Sequence, residues 1–338
     1  MDSDRGFKGG TRVDHDDISK LPGLILGGAT LNTQYNEDPE AVPLVQMLRL
    51  AFDRGFRAID TSPYYGESEK LFGEALDVVR GDFPRDSYYI CTKVGRISVA
   101  EFDYSRENVR FSVKRSCERL GTEYLDMVFL HDIEFIETPA VLEALEELRS
   151  LKDEGLIRNF GASGYPVDFL LEIAIKCSQS ASIGPLDAVL SYANLNIQNT
   201  LLADYYVRFK RDAKVKVVEN GSILSMSLLR SQETRAFHPC SQELRDLAQK
   251  AAQYAASEGE DLADLATRYA MSKWYGLGPT VLGVSTVYEL EHALSNYDTV
   301  MDNDGQLSER DQMLVNYIQS QIFKTHLNET WESGIPHR

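Results

Sequence analysis

Four ionisable residues follow β-like runs of the sequence, at a spacing that could bring them into one site. Asp60 and Tyr65 lie in the stretch Asp-Thr-Ser-Pro-Tyr-Tyr-Gly that follows the apolar run 56–59. Lys93 and His131 each close a later run of the same kind. In a barrel of parallel strands the C-terminal strand ends share one rim, so residues far apart in sequence can meet there.

Tyr65 is the residue that we predict to act as general acid and base. A free phenol has a pKa of about 10, and proton transfer near neutrality favours a pKa closer to the working pH. Lys93 supplies a cation that favours the phenolate. Asp60 can hold the ammonium of Lys93, and His131 can donate to the substrate oxygen or share a proton with Tyr65.

This group of side chains can polarise a carbonyl as hydride arrives, or take the proton of an alcohol as hydride leaves. None of the four can itself carry hydride, so a nicotinamide cofactor is required. Each residue also has an ordinary structural explanation, as a helix cap, an exposed lysine or a structural histidine. Their joint occurrence at the ends of three successive strands favours a common site.

The elements that would position these residues alternate between strand and helix along the whole chain. Eight β-like runs, each followed by a helical pattern, predict a closed (β/α)8 barrel. The runs are residues 21–29, 56–60, 88–93, 125–131, 157–163, 187–192, 215–219 and 280–284. The helical patterns are residues 39–54, 67–79, 107–120, 138–154, 167–177, 201–209, 241–257, 261–274 and 289–297.

A doubly wound open sheet is the alternative fold. It has little support, because no Gly-x-Gly-x-x-Gly fingerprint lies on a strand-to-helix turn. No shift of composition marks a domain boundary, so we expect one barrel domain over residues 21–338. Its C-terminal part, from Gln306, is predicted to form a helix and a tail across the barrel. Residues 1–20 are polar and are predicted to form a flexible leader.

Composition excludes several classes of partner. The formal charge of −17 disfavours a general nucleic-acid partner or an anionic membrane surface. Without an apolar run of spanning length or a signal peptide, we expect a cytoplasmic protein with no membrane partner. The four cysteines are widely spaced and give no metal-binding pattern, so no metal is expected. No sequence pattern indicates an oligomeric state.

Several motifs together resemble the aldo-keto reductase family, over roughly residues 24–294. The motifs are Phe-Arg-Ala-Ile-Asp-Thr with Tyr-Tyr-Gly (56–61 and 64–66), Cys-Thr-Lys (91–93), Val-Phe-Leu-His (128–131), Ile-Arg-Asn-Phe-Gly-Ala-Ser (157–163) and Leu-Gly-Val-Ser (282–285). The resemblance assigns the catalytic roles to Asp60, Tyr65, Lys93 and His131. The family's catalytic tyrosine directly precedes glycine, which selects Tyr65 over Tyr64.

The same resemblance implies a set of contacts to the cofactor. It points to Gly28, Ala29, Ser163, Ser191, Ser222, Leu224, Ser225, Gly283, Ser285 and Thr286. Three positions depart from the family pattern. Gly164 stands where members often have asparagine, Ser191 where many have glutamine, and Gly221 where many stack an aromatic ring on nicotinamide. Gly28 would permit a close approach of the backbone to the cofactor.

The turn after the last strand predicts which cofactor is used. Residues 283–286 precede a helix, whose free amides can bind phosphate. Members that use NADPH usually place Lys and Arg around this turn, but residues 283–297 contain neither. Glu289 and Glu291 would face a 2′-phosphate instead. We therefore expect NAD rather than NADP as the cofactor.

Gly221 and the motif Leu-Gly-Gly-Ala-Thr (26–30) are similar to the sugar-oxidising branch of the family. That branch implies NAD-dependent oxidation of a free aldose, of the D-arabinose, L-galactose or L-fucose type, at the anomeric carbon to a lactone. The sugar is the expected small-molecule partner. An NADPH-dependent aldehyde or ketone reductase and a non-enzymatic regulatory barrel that binds the cofactor are the alternatives.

Overall fold

The computed structural model describes residues 12–337 and contains eight parallel strands that close into a barrel in sequence order. The strands are β1 (Leu24–Gly27), β2 (Ala58–Asp60), β3 (Tyr89–Val94), β4 (Leu125–Leu130), β5 (Ile157–Gly164), β6 (Ala188–Tyr192), β7 (Val217–Gly221) and β8 (Thr280–Gly283). Strand β1 pairs with β8 through four residues and so closes the ring. The predicted (β/α)8 fold is confirmed.

Helices surround the barrel and continue beyond its last strand. They are α1 (Leu44–Asp53), α2 (Ser68–Val79), α3 (Arg106–Leu120), α4 (Thr138–Asp153), α5 (Val167–Gln179), α6 (Leu201–Arg211), α7 (Gln242–Ser257), α8 (Leu262–Lys273), α9 (Val287–Asp302) and α10 (Glu309–Tyr317). A π-helical turn (Ile318–Phe323) and a short 3-10 turn (Lys324–His326) follow α10. None of the helices described is long and apolar enough to span a membrane.

Two predicted boundaries differ from the structure for local reasons. The first helix was expected from residue 39, but α1 begins at Leu44. Residues Pro39–Ala41 form a separate 3-10 turn capped by Asp38, and Val42 is extended because it precedes a proline. The seventh strand was expected at residues 215–219, and the structure places it two residues later, so that Gly221 ends it.

The strand alternation explains why polar residues meet at one end of the barrel. Ala58, Tyr89, Cys91, Met127 and Phe129 belong to one cluster of buried side chains inside the barrel. Side chains two residues apart on a strand share a face. The inward face of β2 therefore continues from Ala58 to the carboxylate at position 60, and that of β3 from Cys91 to the lysine at position 93. Apolar inward residues thus form the floor, and polar ones form the top.

The chain before β1 packs beneath this floor. Ile18 is fully buried with the interior cluster, and residues Ile18–Lys20 form a 3-10 turn. Tyr89 Oη donates to Asp14 O at 3.0 Å, and His15 contacts the buried carboxylate of Asp126. For residues 12–20 the structure thus differs from the expected flexible leader, whereas residues 1–11 lie outside the described part of the chain.

The chain after α10 crosses the opposite end of the barrel, as expected for the C-terminal tail. Ile335 N donates to Glu134 O at 2.9 Å, and Ser333 Oγ donates to Glu134 Oε1 at 3.0 Å. His337 stacks on Phe169 with ring centres 3.7 Å apart. These contacts attach the tail to the loop after β4, at the rim that carries the polar residues.

Candidate active site

A buried ion pair lies at the centre of the polar rim. Lys93 Nζ donates to Asp60 Oδ1 at 2.5 Å and to Thr61 O at 3.1 Å. Both side chains are nearly inaccessible, with Lys93 and Asp60 only 2% and 3% exposed. Burial, the largest single influence, lowers the pKa of Lys93, but Asp60 and Tyr65 together outweigh it and hold that pKa above the usual value. Lys93 is therefore an ammonium throughout the physiological pH range.

Tyr65 lies next to this ammonium. Lys93 Nζ is 5.0 Å from the centre of the Tyr65 ring. Burial raises the pKa of Tyr65 to about 12, and Asp60 adds to the rise, whereas Lys93 opposes it. Lys93 lowers this pKa, as expected, but burial outweighs the cation, so the pKa of the free protein does not come near neutrality. Near neutral pH the phenol keeps its proton and can serve as an acid.

His131 is held as a neutral imidazole. Burial, and then the cation of Lys93, lower the pKa of His131 well below its usual value. Ser62 Oγ lies 3.0 Å from His131 Nδ1 and accepts from Tyr64 N at 3.1 Å. The Ser62 hydroxyl can donate its own proton to Nδ1. In that tautomer His131 carries its hydrogen on Nε2, where it can donate.

The two adjacent tyrosines have different surroundings. The ring centre of Tyr64 lies 4.0 Å from the guanidinium carbon of Arg96, and Tyr64 Oη accepts from Gln34 Nε2 at 3.4 Å. Tyr65 instead faces the Lys93 ammonium. The geometry therefore favours Tyr65 for proton transfer, in agreement with the sequence interpretation, and leaves Tyr64 on the wall of the cavity.

A further carboxyl group, Glu219, lies inside the barrel and was not identified from the sequence. It occupies the inward face of β7, is fully buried, and neither oxygen has a hydrogen-bond partner within residues 12–337. Burial, and then the carboxylate of Asp60, hold the pKa of Glu219 well above its usual value. It is therefore neutral near pH 7 and adds no charge beneath Lys93.

A cavity of about 1230 Å³ opens above these residues and extends to the beginning of α9. All four predicted catalytic residues line it. Six of the ten predicted cofactor contacts also line it, namely Ala29, Ser163, Ser222, Leu224, Gly283 and Thr286. The cavity is therefore long enough to connect the acid–base residues with the helix terminus at which we expected a phosphate.

The other four predicted cofactor contacts are not among the residues of the cavity wall. A Cβ atom on Gly28 would lie 2.4 Å from Ser68 Oγ, so packing against α2 explains this glycine. Ser191 is fully buried and accepts from Asn194 Nδ2 at 3.0 Å. The Ser225 hydroxyl is also fully buried. The backbone N–H of Ser285 donates to the carboxylate of Glu289 in α9.

The loop after β7 brings two arginines to the cavity that the sequence analysis missed. Arg230 and Arg235 both line it, and the Nε atom of each is buried without a partner among the described residues. Arg235 also donates to Tyr35 O at 2.5 Å, which joins this loop to the one after β1. The start of the loop is strained, since Met226 and Ser227 have φ values of 51° and 89°.

A carboxylate accepts a hydrogen bond from a backbone amide just before α9. Ser285 N donates to Glu289 Oε2 at 2.7 Å, and Glu289 N donates to Thr286 Oγ1 at 3.1 Å. Glu289 lines the cavity, whereas Glu291 is exposed and does not line it. Of the two predicted carboxylates, only Glu289 can therefore oppose a phosphate there.

The chain was compared with known proteins. The model of the aldo/keto reductase family matches residues 23–311. D-arabinose 1-dehydrogenase of Saccharomyces cerevisiae is 59% identical over 327 residues, which cover 96% of this chain and 98% of that protein. L-galactose dehydrogenase of Arabidopsis thaliana is 32% identical over 319 residues, which cover 94% and 95% of the two chains.

Solved structures show the same fold at lower identity. An aldo-keto reductase of Bacillus halodurans aligns with a TM-score of 0.64 at 20% identity, over 91% of this chain and 96% of that chain. The glycerol dehydrogenase of Gluconobacter oxydans aligns with a TM-score of 0.62 at 19% identity, over 95% and 99% of the two chains. These likenesses support the barrel architecture alone.

The raised pKa of Tyr65 predicts how alcohol oxidation at this site depends on pH. Oxidation needs the phenolate, whose fraction rises about tenfold per pH unit below the pKa of the phenol. The rate should therefore increase from pH 7 into the alkaline range. No inflection is expected near pH 6.5, because His131 stays neutral. A pH profile of kcat/KM checks this, and a profile that falls above pH 7 would contradict the assignment.

Proposed function

The chain belongs to the aldo/keto reductase family, and from this premise we propose that the oxidoreductase oxidises a free aldose at its anomeric carbon. The observation that carries the proposal is the buried Lys93–Asp60 pair beside Tyr65, in the wall of a cavity that has both polar and apolar lining residues. That arrangement provides a proton acceptor and a fixed cation next to it. It suits removal of a hydroxyl proton from a substrate carbon that also loses hydride.

Relatives support the substrate class. Two that align over nearly the whole chain are named for D-arabinose and for L-galactose. These two sugars have the same configuration at carbons 2 to 4, which lie next to the anomeric carbon. We infer that the present chain takes an aldose with that configuration, and L-fucose shares it. Oxidation of the closed hemiacetal form removes the hydrogen on carbon 1 and the hydroxyl proton, and the product is a lactone.

The cavity fits a nicotinamide dinucleotide. The arginines at positions 230 and 235, with unpaired buried Nε atoms, could neutralise a pyrophosphate. Ser163 would contact the carboxamide, and Ser222, Leu224 and Gly283 would line the path between the two ends. When bound, the oxidised dinucleotide would supply the hydride acceptor. All other groups that the reaction needs belong to the chain.

Proton transfer follows from the positions of three side chains. The hydroxyl oxygen of the substrate accepts a hydrogen bond from His131 Nε2 and donates its proton to the phenolate of Tyr65. Lys93 stabilises this phenolate, and Asp60 keeps Lys93 in place. A neutral Glu219 leaves the positive charge of Lys93 available to Tyr65. In the reverse direction the phenol returns the proton to a carbonyl oxygen.

We also propose that NAD is preferred over NADP. Glu289 lines the cavity and already takes the Ser285 amide that a 2′-phosphate would use. A phosphate at that place would meet a carboxylate and lose a backbone donor. One observation favours the alternative of an NADPH-dependent reductase. Arg230 interacts electrostatically with Glu289 and could serve a 2′-phosphate if that carboxylate moved.

We predict that Tyr65→Phe reduces kcat for D-arabinose oxidation by roughly 10²–10⁴-fold. The substitution removes the proton acceptor and keeps the ring. Cofactor binding, followed by fluorescence quenching, should change little because the phenol acts on the substrate oxygen. The assay is NADH formation at 340 nm, together with detection of the lactone.

Tyr64→Phe is the matched control, since it removes a neighbouring phenol that faces Arg96. It should retain most of the kcat. A folded Tyr65→Phe protein with near-normal turnover would defeat the assignment, and a large loss only in Tyr64→Phe would move the role to Tyr64. Wild-type protein that oxidises none of D-arabinose, L-galactose and L-fucose, while it reduces simple aldehydes, would overturn the proposed function.

We predict that Glu289→Gln raises kcat/KM with NADP relative to NAD by about tenfold, the equivalent of about 1.4 kcal/mol. The amide removes the charge that opposes a 2′-phosphate. Substitution of Val284 or Leu290 by a cation is a poorer test, because both are buried. The matched control is Glu291→Gln, at an exposed carboxylate on the same helix that does not line the cavity. A wild-type preference for NADP would contradict the proposal.

A further inference from the structure

Next to the four acid–base residues, the cavity wall carries a second ion pair that the reaction as derived does not use. Arg96 follows β3, Asp132 directly follows His131, and both line the cavity. The guanidinium of Arg96 donates through Nη1 to Asp132 Oδ2. Asp132 is 2% exposed, so the carboxylate is a buried charge at the substrate end of the cavity. A buried charge of this kind is costly unless it has a role or good partners.

Aromatic rings hold Arg96 in place. Its guanidinium carbon lies 4.0 Å from the ring centre of Tyr64, 5.3 Å from that of Phe102 and 5.4 Å from that of Phe135. Cation–π contacts of this kind stabilise a guanidinium in a fixed orientation. Because Arg96 is fixed, the carboxylate that it binds is fixed as well.

The backbone of Asp132 supports the same conclusion. Its φ is 55°, in the left-handed region, which aspartate tolerates better than most residues other than glycine. Neighbouring contacts hold this turn, since Tyr104 Oη donates to the carbonyl oxygen of His131. Left-handed backbone of this type often occurs at functional sites, where it can aim a side chain. Here it turns the carboxylate of Asp132 to the same cavity as the imidazole before it.

One oxygen of the carboxylate remains available to a ligand. Oδ2 binds Arg96 and lies 3.6 Å from His131 Nε2, whereas Oδ1 has no partner among residues 12–337. Oδ1 is not fully buried, and Asp132 lines the cavity. A substrate oxygen bound to His131 Nε2 would therefore have a free carboxylate oxygen beside it.

We propose that Asp132 accepts a hydrogen bond from the hydroxyl group on the carbon next to the reacting carbon, and that Arg96 positions Asp132 for this contact. The inference rests on the proposed function and names the part of the aldose that is recognised. Hydroxyl oxygens on adjacent carbons lie close enough for one to bind Nε2 of the imidazole and the other to bind the carboxylate. Asp132 is then a determinant of substrate specificity, distinct from the proton-transfer group.

This contact selects substrates with a hydroxyl group at carbon 2. A carboxylate acceptor gives a charge-assisted hydrogen bond, which is stronger than a neutral one. A simple aldehyde or a 2-deoxy sugar would leave the buried carboxylate without that partner in the bound state, and such a loss is costly. The wrong configuration at carbon 2 would direct the hydroxyl away from Oδ1. Discrimination against both kinds of substrate should therefore depend on Asp132.

Three pentoses that differ only at carbon 2 test this contact separately from the rest of the sugar. D-arabinose and D-ribose differ only at carbon 2, and removal of that hydroxyl from either gives 2-deoxy-D-ribose. We would measure kcat and KM for NAD reduction with all three sugars, in the wild type and in Asp132→Asn. Asparagine also tolerates a positive φ and keeps the side-chain shape while it removes the charge. Asp132→Gly is the second variant, because glycine adopts this backbone without strain.

The wild type should favour D-arabinose over 2-deoxy-D-ribose in kcat/KM by roughly 10–100-fold, as expected for one hydrogen bond to a charged group. In Asp132→Asn and Asp132→Gly this ratio should fall by about tenfold or more, with D-arabinose losing most. Arg96→Met should reduce the same ratio, because Asp132 loses its support. Glu101→Gln removes an exposed carboxylate from the loop that carries Arg96 and should leave the ratio unchanged.

The outcomes separate the two proposals. Oxidation of D-arabinose with an unchanged ratio in both Asp132 variants would overturn the role of Asp132 and leave the proposed function intact. Equal losses with all three sugars would also overturn it, because a general structural defect does not distinguish a substrate hydroxyl. If the wild type oxidises none of the three sugars, nor L-galactose or L-fucose, both proposals fail. A selective loss with D-arabinose supports the contact.

Discussion

The ion pair between Lys93 and Asp60 is the constraint on which the rest of the site depends. Two opposite charges are buried at the end of adjacent strands, and removal of one partner from such a pair costs about 3–5 kcal/mol. The two residues come from adjacent strands, in a register that places position 60 opposite Cys91. The pair can therefore form beside Tyr65 only when β2 and β3 pair in this register. Because the ammonium cannot leave, Tyr65 always has a cation beside it. That cation stabilises the phenolate form, although burial raises the pKa of Tyr65 to about 12.

Strand alternation made the fold and three of the acid–base residues predictable from the sequence. Inward positions two residues apart are apolar until Asp60 at the end of β2, Lys93 near the end of β3 and His131 directly after β4, so these three are polar residues on an apolar face. The partners from the loops could not be predicted in this way. Arg96, Arg230 and Arg235 reach the cavity through irregular backbone, and no periodicity connects them with it. Glu219 has the right alternation, but its burial becomes visible only once the barrel closes.

The predicted cofactor contacts form two groups, those that line the cavity and those that pack behind its wall. Ala29 and Ser222 line the cavity, whereas Gly28 and Ser191 serve the packing and hydrogen bonds behind its wall. A motif specifies residue types at a turn, but it does not say which of two successive residues faces the ligand. The same limit applies at the start of α9. Two glutamates were expected to matter, and the helical rotation brings only Glu289 to the cavity.

The measurement that tests the role of the ion pair most directly is the pH profile of D-arabinose oxidation in Lys93→Met. The lysine lowers the pKa of Tyr65, so its loss should displace the alkaline limb of kcat/KM to higher pH and reduce the rate at every pH below it. The double variant Asp60→Asn/Lys93→Met avoids a buried Asp60 carboxylate without its partner. It should show a smaller displacement in the same direction, because the Asp60 carboxylate raises the pKa of Tyr65 less than Lys93 lowers it, and this separates the effect from a folding defect. A limb at the wild-type position in both folded variants would contradict the role of Lys93.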